Sequence, residues 1–331
     1  MKIAIIIPYF GVLPNYFDLW LLTAAQNRDI DFFVITDIDI NSKFINANNI
    51  NIVRMSFLEV KERIQKLVDF KIELNSPYKL CDYKPTYGLA FSDIVKEYDY
   101  WGHCDSDIIW GNLRKFITDE ILEKYEKIYS RGHLTLYKNN LKMNNFFKIN
   151  HKYKKAYTYK EAFTTAHSCG YDEWGDSKFG MGLSWIAEKE GIGTYDNIDF
   201  ADIKVNVFNL EFDQYKKKQA IFRWNNGKLV AFYKSDEDIC CTEVAYLHLQ
   251  KRKMQCSIKK IEDGFIIVPN KFIDNISNIT NKEFIYFDKS KLIYFEWYKT
   301  RCKGIFKRLR NGAIKQIIYR RRAIKNTLSL K

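Results

Sequence analysis

The chain opens on an unbroken apolar run, Ile3 to Ile7, which Pro8 ends. A run apolar at every position must be covered on both faces, so it predicts a buried first strand over residues 2–7. Residues 13–27 then carry helical spacing. Asp31 to Thr36 (DFFVIT) predicts a second strand with Asp37 at its carboxyl end. Ser56 and Glu59 form an S-x-x-E capping box, and Phe57, Val60, Ile64, Leu67 and Val68 follow at helical spacing, which predicts a helix starting there. Thr86 to Lys96 reads as another helix, and Tyr98 to Cys104 as a strand running straight into Asp105-Ser106-Asp107. Strands alternating with helices predict an α/β fold, a Rossmann-like, doubly wound, mainly parallel sheet whose ligands bind beyond the carboxyl ends of its strands. Pro8, Asp37 and Asp105 all fall at such ends. From Phe222 to Tyr233 the pattern becomes strand, Asn226-Gly227 turn, strand, a hairpin signal. Residues 257–297 are rich in aromatics without a readable period, and the chain has no internal repeat.

Composition narrows the class. With 331 residues, 47% hydrophobic and 16% aromatic, the chain buries a full core, which excludes a disordered protein. Its 22 tyrosines and 24 phenylalanines offer much surface for packing or for stacking on planar ligands. The seven cysteines, odd in number and without a C-x-x-C pair, indicate neither a zinc site nor a disulfide framework. Pro8 stops the first apolar run too early for a signal peptide, and no small-residue cleavage site follows, so the expected location is the cytoplasm. No uncharged apolar stretch approaches the ~20 residues that cross a bilayer.

The net charge of +13 suggests a nucleic-acid partner until its distribution is counted. From Lys299 onward there are twelve basic residues and no acidic one; removing those twelve from the 53 leaves 41 against 40 acidic residues. The body is neutral and the tail is basic. In that tail Ile305, Phe306, Leu309, Ile314, Ile317, Ile318, Ile324 and Leu328 recur mostly at three- or four-residue spacing between cations, as in an interfacial helix, with Gly312 a candidate break. The expectation is a peripheral anchor on the anionic inner face of the cytoplasmic membrane; a solvated tail or a nucleic-acid contact is the alternative.

The segment that carries chemistry is Tyr100 to Asp107, where an apolar strand ends in two carboxylates separated by one residue. A nucleotide diphosphate leaves poorly unless its charge is neutralised, and Mg²⁺ or Mn²⁺ held by carboxylates does this as a Lewis acid. By itself D-x-D is a common tripeptide, and Asp37-Ile38-Asp39 repeats it. The strand end distinguishes Asp105 and Asp107. His103 abuts them but alternates with Asp105, so it reads as structural.

In its order of segments the chain resembles bacterial GT-A-fold glycosyltransferases from capsule and O-antigen gene clusters. The segments are Ile7-Pro8-Tyr9-Phe10-Gly11, Lys79-Leu80-Cys81-Asp82-Tyr83-Lys84-Pro85, Trp101 to Asp107, Ser130-Arg131-Gly132-His133 and Tyr246 to Arg252, over roughly the first 255 residues. The resemblance implies a GT-A-like domain over residues 1–255, with residues 256–297 as its extension and 298–331 as the basic tail. It implies a nucleotide-sugar donor, expected to be a UDP-hexose of galactose or glucose type, a divalent Mn²⁺ or Mg²⁺, and a glycan or lipid-linked glycan acceptor. Asp105 and Asp107 become metal ligands, Asp105 also reaching the donor. His248, in an apolar strand before Lys251 and Arg252, looks like a third ligand, with Lys251 a phosphate partner; a packed core histidine is the alternative. Pro8, Tyr9 and Phe10 lie where such enzymes hold the base, or form an ordinary strand-to-helix turn. Asp37 is a candidate acceptor for the base or ribose, or a bare turn aspartate. Lys84 is a candidate for the donor phosphates, or a solvated lysine.

An inverting transferase needs a base for the acceptor hydroxyl, and Asp172-Glu173-Trp174-Gly175-Asp176 supplies carboxylates beside an aromatic. Asp172 is the first candidate and Glu173 the second; a solvated acidic loop is the alternative. Two rivals stand beside the transferase: a nucleotidyltransferase, whose Gly-rich basic signature after the first strand is missing from Pro8-Tyr9-Phe10-Gly11, and a non-catalytic binding protein. For nucleic acid there is no recognisable RRM, KH, helix-turn-helix or zinc-finger pattern, so none is expected as a partner.

Overall fold

The computed structural model describes residues 1–176, 180–204, 207–211, 219–235, 238–289 and 291–310. Its central sheet is parallel-dominated, as the alternation predicts. Strands β1 (Ile3–Pro8), β2 (Ile30–Thr36), β3 (Ile50–Arg54) and β4 (Tyr100–Cys104) lie in the order β3-β2-β1-β4, all parallel. Leu134–Lys138 adds to β4 antiparallel, followed by Lys127–Ile128 and Thr194–Tyr195. Alternate residues of β1 feed two cores. Ala4 and Ile6 face Val60 and Ile64 of helix α2 (Phe57–Gln65), while Ile3, Ile5 and Ile7 face Phe17, Trp20 and Leu21 of helix α1 (Phe17–Ala25). Each isoleucine of the strand contributes about 1.5–3 kcal/mol on burial, which is why a strand apolar on both sides needs cover on both.

The capping box at the start of α2 forms: Glu59 N–H donates to the Ser56 hydroxyl, and Ser56 N–H to the Glu59 carboxylate at 2.7 Å. Two helices differ from the reading. The first starts only at Phe17, whose N–H turns back to the Pro14 carbonyl. Residues 86–96 form two single turns, Tyr87–Ala90 and Ser92–Val95, parted at Phe91 (φ −122°, ψ 34°). A ten-residue 3₁₀ helix, Pro77–Thr86, precedes them and buries Lys79, Asp82 and Lys84. No local pattern announces it, because apart from the Lys79–Asp82 pair its buried polar residues find their partners remote in sequence.

After Cys104 the chain leaves the central sheet, and three residues later β5 (Ile108–Trp110) enters a small sheet with Tyr246–His248 and Ala201–Asp202. Asp105-Ser106-Asp107 is that crossing. The expected hairpin pairs Gln219–Asn225 with Lys228–Ser235 through Asn226 (φ 47°) and Gly227 (φ 79°), the two positive φ values that a tight hairpin turn requires. It belongs to a second seven-stranded sheet that includes Phe265–Val268 and Lys271–Asp274, from the stretch that has no readable period. Helices Asn281–Lys289 and Lys291–Arg310 follow. The tail positions Gly312, Ile314, Ile317, Ile318, Ile324 and Leu328 lie outside the described residues. Among the described residues no helix is long and apolar enough to cross a membrane.

Candidate active site

The crossing from β4 to β5 brings Asp105 and Asp107 beside His248, because His248 stands opposite Ile108 in the register of the small sheet. His248 Nε2 lies 3.5 Å from Asp107 Oδ1 and 3.7 Å from Asp105 Oδ2. One ligand atom from each of the three residues falls within 4.8 Å of the others. A divalent ion with bonds of about 2.0–2.2 Å sets neighbouring ligand atoms roughly 3–4 Å apart, so this donor set fits one. On the other side of the ring, His248 Nδ1 hydrogen-bonds Asp202 Oδ1 at 2.9 Å, and a carboxylate on the far nitrogen is what orients a ligating histidine. Burial opposes a charge on His248, but Asp107 and Asp202 outweigh it and push the imidazole up to about 10. A proton on Nε2 and a divalent cation therefore compete for the same carboxylates.

The backbone after His248 is shaped around Asp107. Gln250 (φ 52°) and Lys251 (φ 56°) both adopt the left-handed region that β-carbons disfavour, and the Lys251 N–H donates to Asp107 Oδ2. Leu249 N–H donates to the Asp107 carbonyl at 2.8 Å. Strain of this kind persists where the surroundings over-determine it, and it clusters at functional sites.

Behind the carboxylates the 3₁₀ helix supplies two buried cations. Lys84 Nζ lies 2.9 Å from Asp105 Oδ1, 2.9 Å from the Gly132 carbonyl and 3.1 Å from Asp172 Oδ2. An ammonium has three donors, and three acceptors surround this one. Burial opposes a charge on Asp105, yet Lys84 and then His248 hold its carboxyl well below the usual range. Asp172 is fully buried, and burial drives its carboxyl well above the usual range against the pull of Lys84. Lys79 Nζ, in turn, donates to Asp82 Oδ2 at 2.6 Å, and the Asp82 carboxylate accepts the N–H groups of Cys169 and Tyr171. One helix thus ties down both the Asp105 turn and the loop that leads to Asp172 and Glu173.

Two cavities meet at this point, sharing Tyr78, Asp105, Asp107 and Lys251 in their walls. The first, of 510 Å³, is largely apolar and lined by Pro8, Tyr9, Phe10, Tyr16 and Tyr87. The second, of 650 Å³, is polar and lined by Glu173, Trp174, Arg131, His133, Asp196 and Asp202. Lys251 Nζ sits 4.4 Å from the centre of the Tyr78 ring, between the two.

A family model described as Family of unknown function (DUF6625) matches residues 5–276. The chain belongs to that family. No curated protein matches it. Solved structures similar to this DUF6625 chain include the galactosyltransferase LgtC in complex with donor and acceptor sugar analogs (12% identity, 61% of this chain and 75% of that one, TM-score 0.34). Mouse xyloside xylosyltransferase 1 in its apo form is another (8% identity, 62% of this chain and 88% of that one, TM-score 0.32).

Of the residues singled out in the sequence, the structure brings Asp105, Asp107, His248, Lys251, Glu173, Pro8, Tyr9 and Phe10 to the walls of the joined cavities. Asp37 is not among them: it follows β2 directly, is exposed to solvent and lines neither cavity. Lys84 lines the first cavity, but its donors face Asp105, Asp172 and Gly132, so the structure ties it to carboxylates where the sequence suggested phosphates. Asp172 is enclosed beneath Gly132, where an added β-carbon would come 2.9 Å from its Oδ2, while its neighbour Glu173 reaches the cavity wall. His103 is fully buried in β4 and lines neither cavity, and burial holds its imidazole well below the ordinary value. Arg252 spends its guanidinium on the carbonyls of Lys204, Val207 and Phe208. The sequence reading missed Asp202, His133 and Asp82. His133 lies in a quoted segment, and Asp202 lies in no motif at all.

Proposed function

We propose that this chain is a metal-dependent glycosyltransferase that moves a hexose from a nucleotide diphosphate donor, a UDP-hexose of galactose or glucose type, to a glycan or lipid-linked glycan of a bacterial surface polymer. The observation that carries the reading is the convergence of Asp105, Asp107 and His248 at the junction of an aromatic cavity and a polar one. Tyr9 and Phe10 suit a nucleobase, which stacks on aromatic faces. A Mn²⁺ or Mg²⁺ held by Asp105, Asp107 and His248 supplies charge to a leaving diphosphate. Lys251, whose side chain stands between the cavities, is the phosphate partner in place of Lys84.

On the acceptor side the base is Glu173, since a carboxylate sealed from the cavity, as Asp172 is, cannot take a proton from a bound hydroxyl. Glu173 is exposed as a residue, but desolvation of its carboxyl in the cleft, with Asp105 nearby, pushes that group up against the pull of Lys84, which suits a group that accepts a proton. The basic C-terminal segment holds the enzyme peripherally at the inner membrane face, near a lipid-linked acceptor. Thermal shift and turnover with UDP-hexoses test the reading. A ligand at 100 times its Kd stabilises the fold by about 2.7 kcal/mol, so UDP-hexose with Mn²⁺ should raise Tm and UDP-hexose with EDTA should not. Asp107→Asn should lose that shift; Glu173→Gln should keep it and lose about 10²- to 10⁴-fold in turnover. Equal shifts with Mn²⁺ and with EDTA refute the metal assignment.

A further inference from the structure

The polar cavity carries a charge pattern that bears on its ligand. Among the described residues five carboxylates line it, Asp105, Asp107, Glu173, Asp196 and Asp202, against two permanent cations, Arg131 and Lys251. Both cations lie over aromatic rings, Arg131 5.9 Å from the centre of Phe200 and Lys251 4.4 Å from that of Tyr78. His133 turns its Nδ1 to the Tyr246 hydroxyl at 2.8 Å. With the histidines neutral, and with Lys84 counted against the Asp105 carboxylate it pairs with, the formal charge of the wall is −2. A bound dication raises −2 to 0, and a diphosphate with two negative charges returns it to −2. Loading the donor therefore leaves the cavity anionic, and a proton on Glu173 still leaves it at −1.

We infer that this cavity takes an uncharged sugar or an amino sugar as acceptor and rejects acid sugars, its carboxylates acting both as hydroxyl acceptors and as a charge filter. The inference rests on the transferase reading for the word acceptor, and on the wall alone for the charge class. Ionised carboxylates only accept hydrogen bonds, each with about four lone-pair sites, so a wall of them matches a molecule rich in hydroxyl donors. Asp196 uses one site on the Ser130 hydroxyl at 2.6 Å, and Asp202 takes His248 and Gln250. Trp174, half-buried on the same wall, offers a flat apolar face to the C–H side of a pyranose. An ammonium on the sugar gains charge-assisted bonds, whereas a sugar carboxylate or phosphate meets like charge in a partly desolvated cleft.

The test is saturation-transfer NMR on the full-length protein with the methyl glycosides of glucose, glucosamine and glucuronic acid, each measured alone and with UDP and Mg²⁺. The glucoside and glucosaminide should bind, with the glucuronide about 10- to 100-fold weaker. Asp196→Asn should narrow that gap by removing one negative charge. A glucuronide that binds as well as the glucoside overturns the inference, and so does a protein that binds none of the three. A Tm shift with UDP and Mg²⁺ on the same sample reports the donor site separately. Its absence counts against the transferase reading, while the order of the three glycosides still decides the charge class.

Discussion

Lys84 shows how much one residue's role depends on its surroundings. Followed by proline in the sequence, it looks like a phosphate-binding lysine; in the fold its ammonium is enclosed by Asp105, Asp172 and the Gly132 carbonyl. The two roles make different predictions. Removing one partner from a buried ion pair costs about 3–5 kcal/mol, because the charge left behind is unpaired. Lys84→Met should therefore lower the unfolding free energy by that order and bring the urea midpoint down with it, whereas loss of a phosphate-binding lysine would weaken nucleotide binding and leave the midpoint in place. An unchanged midpoint returns Lys84 to the phosphates. Glu173 and Asp172 make the same point. They are adjacent in sequence and both carboxylic acids, yet one meets the cavity and the other is sealed from it.

At the scale of elements, β4 decides where the carboxylates sit. Its centre is Gly102, pinned between β1 and Leu134–Lys138. A β-carbon there would stand 2.3 Å from Leu136 Cδ2 and 2.6 Å from the Thr135 carbonyl oxygen. The side chain can move, but the backbone oxygen belongs to the paired strand. Gly102→Ala should destabilise by about 1–3 kcal/mol, the usual cost of overpacking, and should shift Asp105, three residues on, relative to His133, whose carbonyl accepts the Asp105 N–H at 2.9 Å. A fall in Tm together with weaker nucleotide–metal binding is the expected pair of results; full stability would mean that the two strands part without cost. The same strand was legible as a strand from its apolar run. Nothing in that run shows why its third residue must lack a side chain, since the constraint comes from a strand more than thirty residues away.

The whole molecule presents its neutral body and its basic end differently. Helix Lys291–Arg310 docks through Tyr294 and Trp297 on Phe208, with ring centres 5.3 and 6.0 Å away. Phe295, Tyr298 and Phe306 stay exposed, at 65%, 46% and 71%, in a stripe at helical spacing beside Lys299. An exposed apolar stripe bordered by cations is the form of an interfacial helix, and each Lys or Arg near an anionic leaflet contributes about 1 kcal/mol. The intact protein should float with anionic liposomes at low salt and release at high salt, while a chain ending at Tyr298, which keeps the Trp297 contact, should stay in solution. Equal flotation of both removes the anchor. By itself the sequence determined the layered core, because strand and helix periods record burial residue by residue. It likewise determined the S-x-x-E cap and the hairpin turn, whose partners are a few residues apart. It also marked Asp105 and Asp107, by placing them at the end of an apolar strand. Only the tertiary structure decided that His248 faces them, that Asp202 holds His248, that Asp37 stays outside, and that Glu173 rather than Asp172 meets the cavity. Those outcomes depend on contacts between segments tens to more than a hundred residues apart, where no local period carries the information and burial and partnership appear only once the sheets have closed.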